Sequence, residues 1–296
     1  MNIKQRLKNK PTLYAGILSI LNAINYFNIR FNIFYPKYKL SENWRKRIEL
    51  VKASDDNNKI VYDKDAGTLH KNHQVMHNGL KITLGSYYDY GNTVLIKENK
   101  GVHEPQEEYV FQEVLKHIPE GACMFELGSY WAFYSMWFAS VIKKSKCFMI
   151  EPDPHKMNFG KLNFKLNKLQ GTFDLGFIDQ QTNLKSNIPT YSVDYLVEKH
   201  QVEFIHVLHS DIQGYEYKML NGAMNTFKAG KIAYVFISTH SNELHYQCED
   251  FLSQNNFEIL CSADLDETFS WDGLLVARNK NIVGPGPISI SKRNKN

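Results

Sequence analysis

Met124-Phe125-Glu126-Leu127-Gly128-Ser129-Tyr130-Trp131-Ala132-Phe133-Tyr134-Ser135 is the stretch whose reading decides the fold. Ala122 to Phe125 form a short apolar run that stops at Glu126. A turn follows at Gly128, and the apolar, aromatic segment from Trp131 to Val141 suits a helix. A buried parallel strand, a glycine turn and a helix make the first half of a βαβ unit. Gly128 removes a Cβ where backbone must pass close to a ligand, and the helix start offers unpaired N–H groups. The next apolar run, Cys147 to Ile150, ends in Glu151, the position where such folds grip the two hydroxyls of an adenosine ribose. The stretch reads as a nucleotide-cofactor cradle. The G-x-G-x-x-G fingerprint of dinucleotide binders is absent, and an ordinary βαβ crossover whose turn needs one glycine is the plain alternative.

Working outward, the alternation continues. Asp153-Pro154 opens a helix to about Lys168, Thr172 to Ile178 is a third strand followed by Asp179, and Ser192 caps a short helix. Phe204 to Leu208 is a fourth strand, ending in His209-Ser210-Asp211-Ile212-Gln213-Gly214-Tyr215-Glu216, and a helix runs from Tyr217 to Phe227. Ile232 to Ile237 is a fifth strand ending at His240. A helix from Asn242 to Gln254 leads to strands at Phe257 to Cys261 and Gly273 to Ala277. The last strand follows a loop, which predicts an antiparallel hairpin at the sheet edge. Strands alternating with helices predict an α/β, Rossmann-like doubly wound sheet. Ligands of such sheets sit beyond the strand C-termini. Those ends carry Glu126, Glu151, Asp179, Asp211 and His240.

Residues 1–100 read as a helical and hairpin extension, 101–280 as the main domain and 281–296 as a tail. Leu13 to Ile29 is interrupted by Asn22, Asn25 and Asn28. It is too polar to span a membrane and reads as an amphipathic helix that packs on the domain or touches a membrane surface. Ser41 caps a helix that runs to Val51. Val75 to Lys97 reads as a β-hairpin whose tip carries Tyr87, Tyr88 and Tyr90, three rings suited to stacking on a sugar. His103, Glu104, Gln106 and Glu107 gather just before the first domain strand. Helix-start chemistry explains the acids, and the cluster also suits a surface facing substrate.

The composition is globular, with 43% hydrophobic and 22% charged residues and a net charge of +4. Lys4 to Lys10, Arg45 to Arg47 and Lys292 to Lys295 read as solvated basic patches. No basic aromatic stripe points to nucleic acid. Cys123, Cys147, Cys248 and Cys261 lack metal-site spacing and read as free thiols of a reducing, cytoplasmic compartment.

From Gly101 to Ala277 the chain resembles the FkbM-type S-adenosylmethionine-dependent methyltransferases. The resemblance rests on Phe125-Glu126-Leu127-Gly128 with Tyr134-Ser135, on Ile150-Glu151-Pro152-Asp153-Pro154, and on Ser192-Val193-Asp194-Tyr195-Leu196. Its most telling piece is Ser210-Asp211-Ile212-Gln213-Gly214-Tyr215-Glu216 with Leu220-Asn221-Gly222-Ala223. Two departures stand out: His209-Ser210 replaces the family's lysine, and Ala132 beside Trp131 replaces the second loop glycine. The resemblance implies a class I methyltransferase fold, S-adenosylmethionine as cofactor, and methyl transfer to a hydroxyl of a sugar or glycoconjugate. Glu151 would bind the ribose, Gly128 and Ser129 the methionine part, and Asp179 the adenine. Glu126, Tyr134, Ser135 and Asp211 would complete the cofactor region. His240, with the ordinary imidazole pKa of about 6.5, would be the general base, assisted by Asp211 and Glu216. His103, Glu104, Glu107 and Tyr88 would bracket the acceptor. No metal is required. A variant with magnesium or manganese held by Asp211, His240 and a further acid is the lesser alternative. Two other functions share these features, a non-catalytic glycan-binding protein and a nicotinamide-dependent oxidoreductase.

Overall fold

Apolar runs four to eight residues long, each closed by a polar residue, become buried strands because a parallel sheet is covered on both faces. The structure, a computed structural model, describes residues 40–293 and, before them, Ile20. The expected helix at Leu13 to Ile29 and the basic run Lys4 to Lys10 fall outside the described residues, Ile20 apart. In chain order the elements are helix α1 (Glu42–Lys52), a 3-10 turn (Asp55–Lys59), strands β1 (His73–Val75) and β2 (Lys81–Thr83), and helices α2 (Tyr90–Glu98) and α3 (Pro105–Leu115). Then come β3 (Cys123–Leu127), α4 (Phe133–Val141), β4 (Lys146–Glu151), α5 (Pro154–Leu166), β5 (Thr172–Leu175), β6 (Phe177–Ile178) and β7 (Thr190–Tyr191). The chain finishes with α6 (Val193–Lys199), β8 (Ile205–Ser210), α7 (Glu216–Asn221), α8 (Met224–Lys228), β9 (Ile232–Thr239), α9 (Asn242–Gln254), β10 (Phe257–Ala263) and β11 (Gly273–Asn279).

Seven strands form the central sheet in the order β10-β11-β9-β8-β3-β4-β5. The doubly wound, Rossmann-like class is the one expected. β3, β4, β5, β8 and β9 run parallel to one another, while β11 is antiparallel to both β9 and β10. The expected antiparallel hairpin forms the sheet edge, with β10 outermost and the last strand, β11, inserted between it and β9. Six of its seven residues are buried, whereas β10 carries half-buried Glu258, Ile259 and Ser262. The more apolar strand takes the two-sided position, and the more polar one tolerates the edge.

Other elements depart from expectation. The second arm of the hairpin, Thr93 to Ile96, lies in α2, because Asp89 caps a helix by accepting from the Gly91 and Asn92 amides. A continuous apolar run does not distinguish strand from helix; the cap decides. The third strand breaks at Gly176, and β6 pairs with β7 in its own ladder. The helix expected from Tyr217 to Phe227 is split at Gly222-Ala223 into α7 and α8. A Cβ at Gly222 would approach the Asp179 carbonyl to 2.7 Å, and Asp194 restarts the chain by accepting from the Asn225 and Thr226 amides. Arg47, read as part of a solvated patch, is buried and donates to the Phe269 carbonyl at 2.9 Å. All four cysteines are free and buried. No helix among the described residues is long and apolar enough to cross a membrane.

Candidate active site

The C-terminal tips of β3, β4 and β8, with the β6–β7 ladder, enclose a cavity of about 480 Å³. Gly128, Glu151, Asp179 and Asp211 all line it, so four residues singled out in the sequence converge. Gly128 has φ +77°, and a Cβ there would sit 1.9 Å from the Asp211 carbonyl oxygen. The glycine lets two strand tips close on each other. Glu151 is buried and accepts from the Tyr130 amide at 3.1 Å and the Asp153 amide at 2.8 Å. Burial pushes its carboxyl pKa up, against those amides and Lys156. A carboxylate has about four acceptor positions, so two remain for a diol. Phe177, Ile178, Ile212 and Tyr215 give apolar wall near Asp179. Tyr88 also lines this cavity; its amide donates to the Tyr130 hydroxyl at 2.9 Å. The Lys156 ammonium lies 4.6 Å from the Tyr130 ring centroid.

The remaining cofactor candidates do not line the cavity. Glu126 is buried and accepts from the Ser135 amide at 3.0 Å, at the start of α4. Ser129 and Ser135 are buried, each with a hydroxyl that has no protein partner among the described residues. The Tyr134 hydroxyl donates to Glu104 Oε2 at 3.3 Å.

At the cavity mouth His240, just past β9, meets three carboxylates. Its Nδ1 lies 2.8 Å from Glu216 Oε1; its Nε2 lies 3.3 Å from Asp211 Oδ1 and 3.5 Å from Asp272 Oδ1. Glu216 is fully buried and also accepts from the Ile212 and Gly214 amides, which pins the 211–216 turn. The ordinary imidazole pKa expected for His240 does not hold. Burial opposes its charge, but Asp211, Glu216 and Asp272 outweigh that and push the pKa up to about 10. Asp272 stands above a usual carboxylate: burial raises it to about 7, His240 and Arg47 relieve this in part, and Asp211 and Glu104 push it further up. The Gln213 amide nitrogen lies 2.8 Å from His240 Nε2 and 3.0 Å from Asp211 Oδ1. A bare Nε2 would accept from that amide, but three neighbouring carboxylates favour the imidazolium at neutral pH.

The acceptor candidates lie deeper than expected. His103 is buried, with Nδ1 2.6 Å from Glu108 Oε1 and Nε2 3.2 Å from Glu104 Oε2. Glu107 and His209 form a buried pair at 2.6 Å. A 10 Å³ cavity links Glu104 and Glu107 to Asp272, room for about one water. Of these four candidates, Glu104 stands nearest the mouth through that cavity, and Tyr88 belongs to the larger one.

Sequence reasoning missed Asp272, Tyr130, Lys156 and Gln213. Asp272 had one available signal, an acid directly before the last strand, but it enters the site only because β11 is inserted beside β9.

Residues 172–259 match the family model described as Methyltransferase FkbM domain. No curated protein matches the chain. Among solved structures, the methyltransferase FkbM from Methylobacillus flagellatus KT is 15% identical with a TM-score of 0.44. The alignment covers 54% of this chain and 44% of that one, so this chain spans less than half of that protein. Precorrin-6y C5,15-methyltransferase from Geobacter metallireducens GS-15 is 11% identical, with TM-score 0.40 and coverage of 58% and 87%. TrmK of M. capricolum, in complex with S-adenosyl-homocysteine, is 15% identical, with TM-score 0.39 and coverage of 60% and 70%. The family match spans the Asp179 and Asp211 tips and His240, and over those residues the chain is similar to the FkbM methyltransferase domain.

Proposed function

We propose that the protein transfers a methyl group from S-adenosylmethionine to a sugar hydroxyl, and that Asp272, held by His240, receives the hydroxyl proton. The observation that carries this reading is the continuity of the two sites. Asp211 lines the 480 Å³ cavity and at the same time contacts His240. The cavity suits the cofactor: a carboxylate with free acceptor positions at Glu151, an acid and apolar wall at Asp179, and a tight backbone approach at Gly128. Bound there, S-adenosylmethionine supplies a methyl group on a sulfonium, a carbon ready for attack by oxygen.

The chain's own residues handle orientation and the proton. Glu216 fixes the imidazole through Nδ1. The imidazolium Nε2 faces Asp211 and Asp272, so His240 is already charged and is not the acceptor of a further proton. Asp272, with a pKa raised to about 7, is matched to that task, because a base near the working pH combines the right protonation state with driving force. The acceptor oxygen would bond to the methyl carbon as the carbon–sulfur bond breaks and leaves neutral S-adenosylhomocysteine, while the hydroxyl proton passes to Asp272 Oδ and is later released to water. Asp211 carries negative charge at the join between the two sites, where a cationic sulfur gains from it.

Calorimetric titration with S-adenosylhomocysteine tests the cofactor half. Saturable binding is expected, and Glu151→Ala should weaken it at least tenfold. Methyl-transfer assays on glycans test the other half. Asp272→Asn should lower kcat by about 10²-fold or more. The wild-type rate should fall as pH drops below about 7, because the base must be deprotonated to act. A wild-type chain that binds no S-adenosylhomocysteine would remove the reading.

A further inference from the structure

We propose that Trp271 is the stacking platform for the acceptor, and that the ring it receives is an uncharged sugar; this rests on the methyl-transfer reading above. Trp271 is 58% exposed, yet it is held in place. The Trp44 ring lies 5.5 Å away, tilted by 51°, and the Arg47 guanidinium carbon is 4.7 Å from the Trp271 centroid. Arg47 is itself buried and tied to the Phe269 carbonyl and the Ser270 hydroxyl. Trp44 cannot retreat, because it already fills the space that a Cβ on Gly91 would need, 2.1 Å from the indole. The result is an exposed aromatic surface fixed by α1 and α2. It stands one residue before Asp272, whose carboxylate reaches His240.

A fixed indole beside carboxylates matches the two faces of a sugar. Ring C–H groups pack on the aromatic surface while hydroxyls donate to the acids. Charge selects among sugars. Facing the mouth are Asp211 and Asp272, whose side chains are 40% and 27% exposed, with Glu104 more covered. The cations there, His240 and Arg47, are already engaged with carboxylates or buried, and Lys156 lies on the side of the larger cavity, over the Tyr88 and Tyr130 rings. An incoming phosphate or uronate meets like charge, and a neutral ring does not. The stack also gives the N-terminal extension a role in acceptor choice, since Trp44 and Arg47 both come from α1.

Saturation-transfer NMR on the full chain with S-adenosylhomocysteine present tests this. The probes are methyl α-mannoside, methyl α-fucoside and methyl β-galactoside, compared with GDP-mannose, UDP-galactose and tRNA. At least one neutral glycoside should show saturable binding, weakened roughly tenfold in Trp271→Ala and largely restored in Trp271→Phe. Both variants should keep wild-type affinity for S-adenosylhomocysteine, which establishes an intact fold and cofactor cavity. Preference for the nucleotide sugars or tRNA, no binding of any neutral glycoside, or equal binding by Trp271→Ala would each overturn the platform while leaving the methyl-transfer reading standing. Failure of the wild-type chain to bind S-adenosylhomocysteine would overturn both.

Discussion

At Gly128 two strand tips meet without room for a methyl group, and the neighbouring loop residue Ala132 sits in the same left-handed region at φ +60°. The two positions should respond in opposite ways. Gly128→Ala carries backbone strain of about 1–3 kcal/mol and also a clash with the Asp211 carbonyl. It is expected to lower the urea midpoint and abolish measurable S-adenosylhomocysteine affinity. Ala132→Gly removes left-handed strain of about 1 kcal/mol and should leave stability unchanged or slightly raised. If Gly128→Ala melts and binds like the wild type, the tip contact is not what shapes the cavity. Gly128 and Glu151 were legible because both the turn and the acid follow from local chemistry. Asp272 was not, because its importance arises from His240, a residue brought beside it by strand order.

The hairpin of β1 and β2 shows how an element can be completed by side chains. The outer edge of β2 has no strand beside it. Instead Asn163 in α5 and Asn167, which caps its C-terminus one turn on, act as its neighbour. Asn163 Oδ1 accepts from the Thr83 amide at 2.8 Å and its Nδ2 donates to the Trp131 carbonyl at 3.0 Å. Asn167 accepts from the Lys81 amide and donates to its carbonyl. The apolar positions of α5 suggested only a packing helix. A polar residue that replaces a strand edge leaves no periodic trace. Asn163→Ala would strand a half-buried amide and a buried carbonyl, the latter at about 1–3 kcal/mol. Chemical denaturation should therefore show a larger loss for Asn163→Ala than for Asn167→Ala, whose contacts to β2 are exposed. Equal losses would mean that the hairpin is held by its apolar face alone. The helix at Ser41 and the helix from Asn242 to Gln254 were readable to within a residue, because each begins with a serine cap. The α2 segment was misread where apolar residues ran on without period.

Across the whole molecule, the extension and the main domain are joined by buried charge. Glu108 faces His77 at 3.0 Å and His103 at 2.6 Å. Burial works against both charges, but the pairing wins: Glu108 is lowered to about 2 and His103 raised to about 10. A raised histidine contributes fully below about 6.5 and loses its contribution as pH climbs towards 10. A lowered glutamate contributes fully above about 4.5 and loses its contribution as pH falls towards 2. Stability from this cluster should be greatest between about pH 4.5 and 6.5 and decline on both sides. Glu108→Gln removes the carboxylate that His77 and His103 share and leaves His103 only Glu104. It should cost about 3–5 kcal/mol and flatten the pH profile of the denaturation midpoint. A variant with the wild-type profile would place the pH dependence elsewhere. The doubly wound sheet was legible from strand ends alone, whereas this cluster was not, since His103 read as an acceptor contact and nothing in the sequence pairs Glu108 with His77 or His103.

The insertion of β11 between β9 and β10 has a consequence for synthesis. While the chain is emerging from the ribosome, β10 has no neighbour to join, and β9 keeps an open edge until residues 273–279 arrive. Asp272 reaches His240 at that same moment. The sheet and the His240 carboxylate cluster are thus completed together by the last strand, and any nascent or truncated chain that stops short of it carries an exposed strand edge and an incomplete cluster.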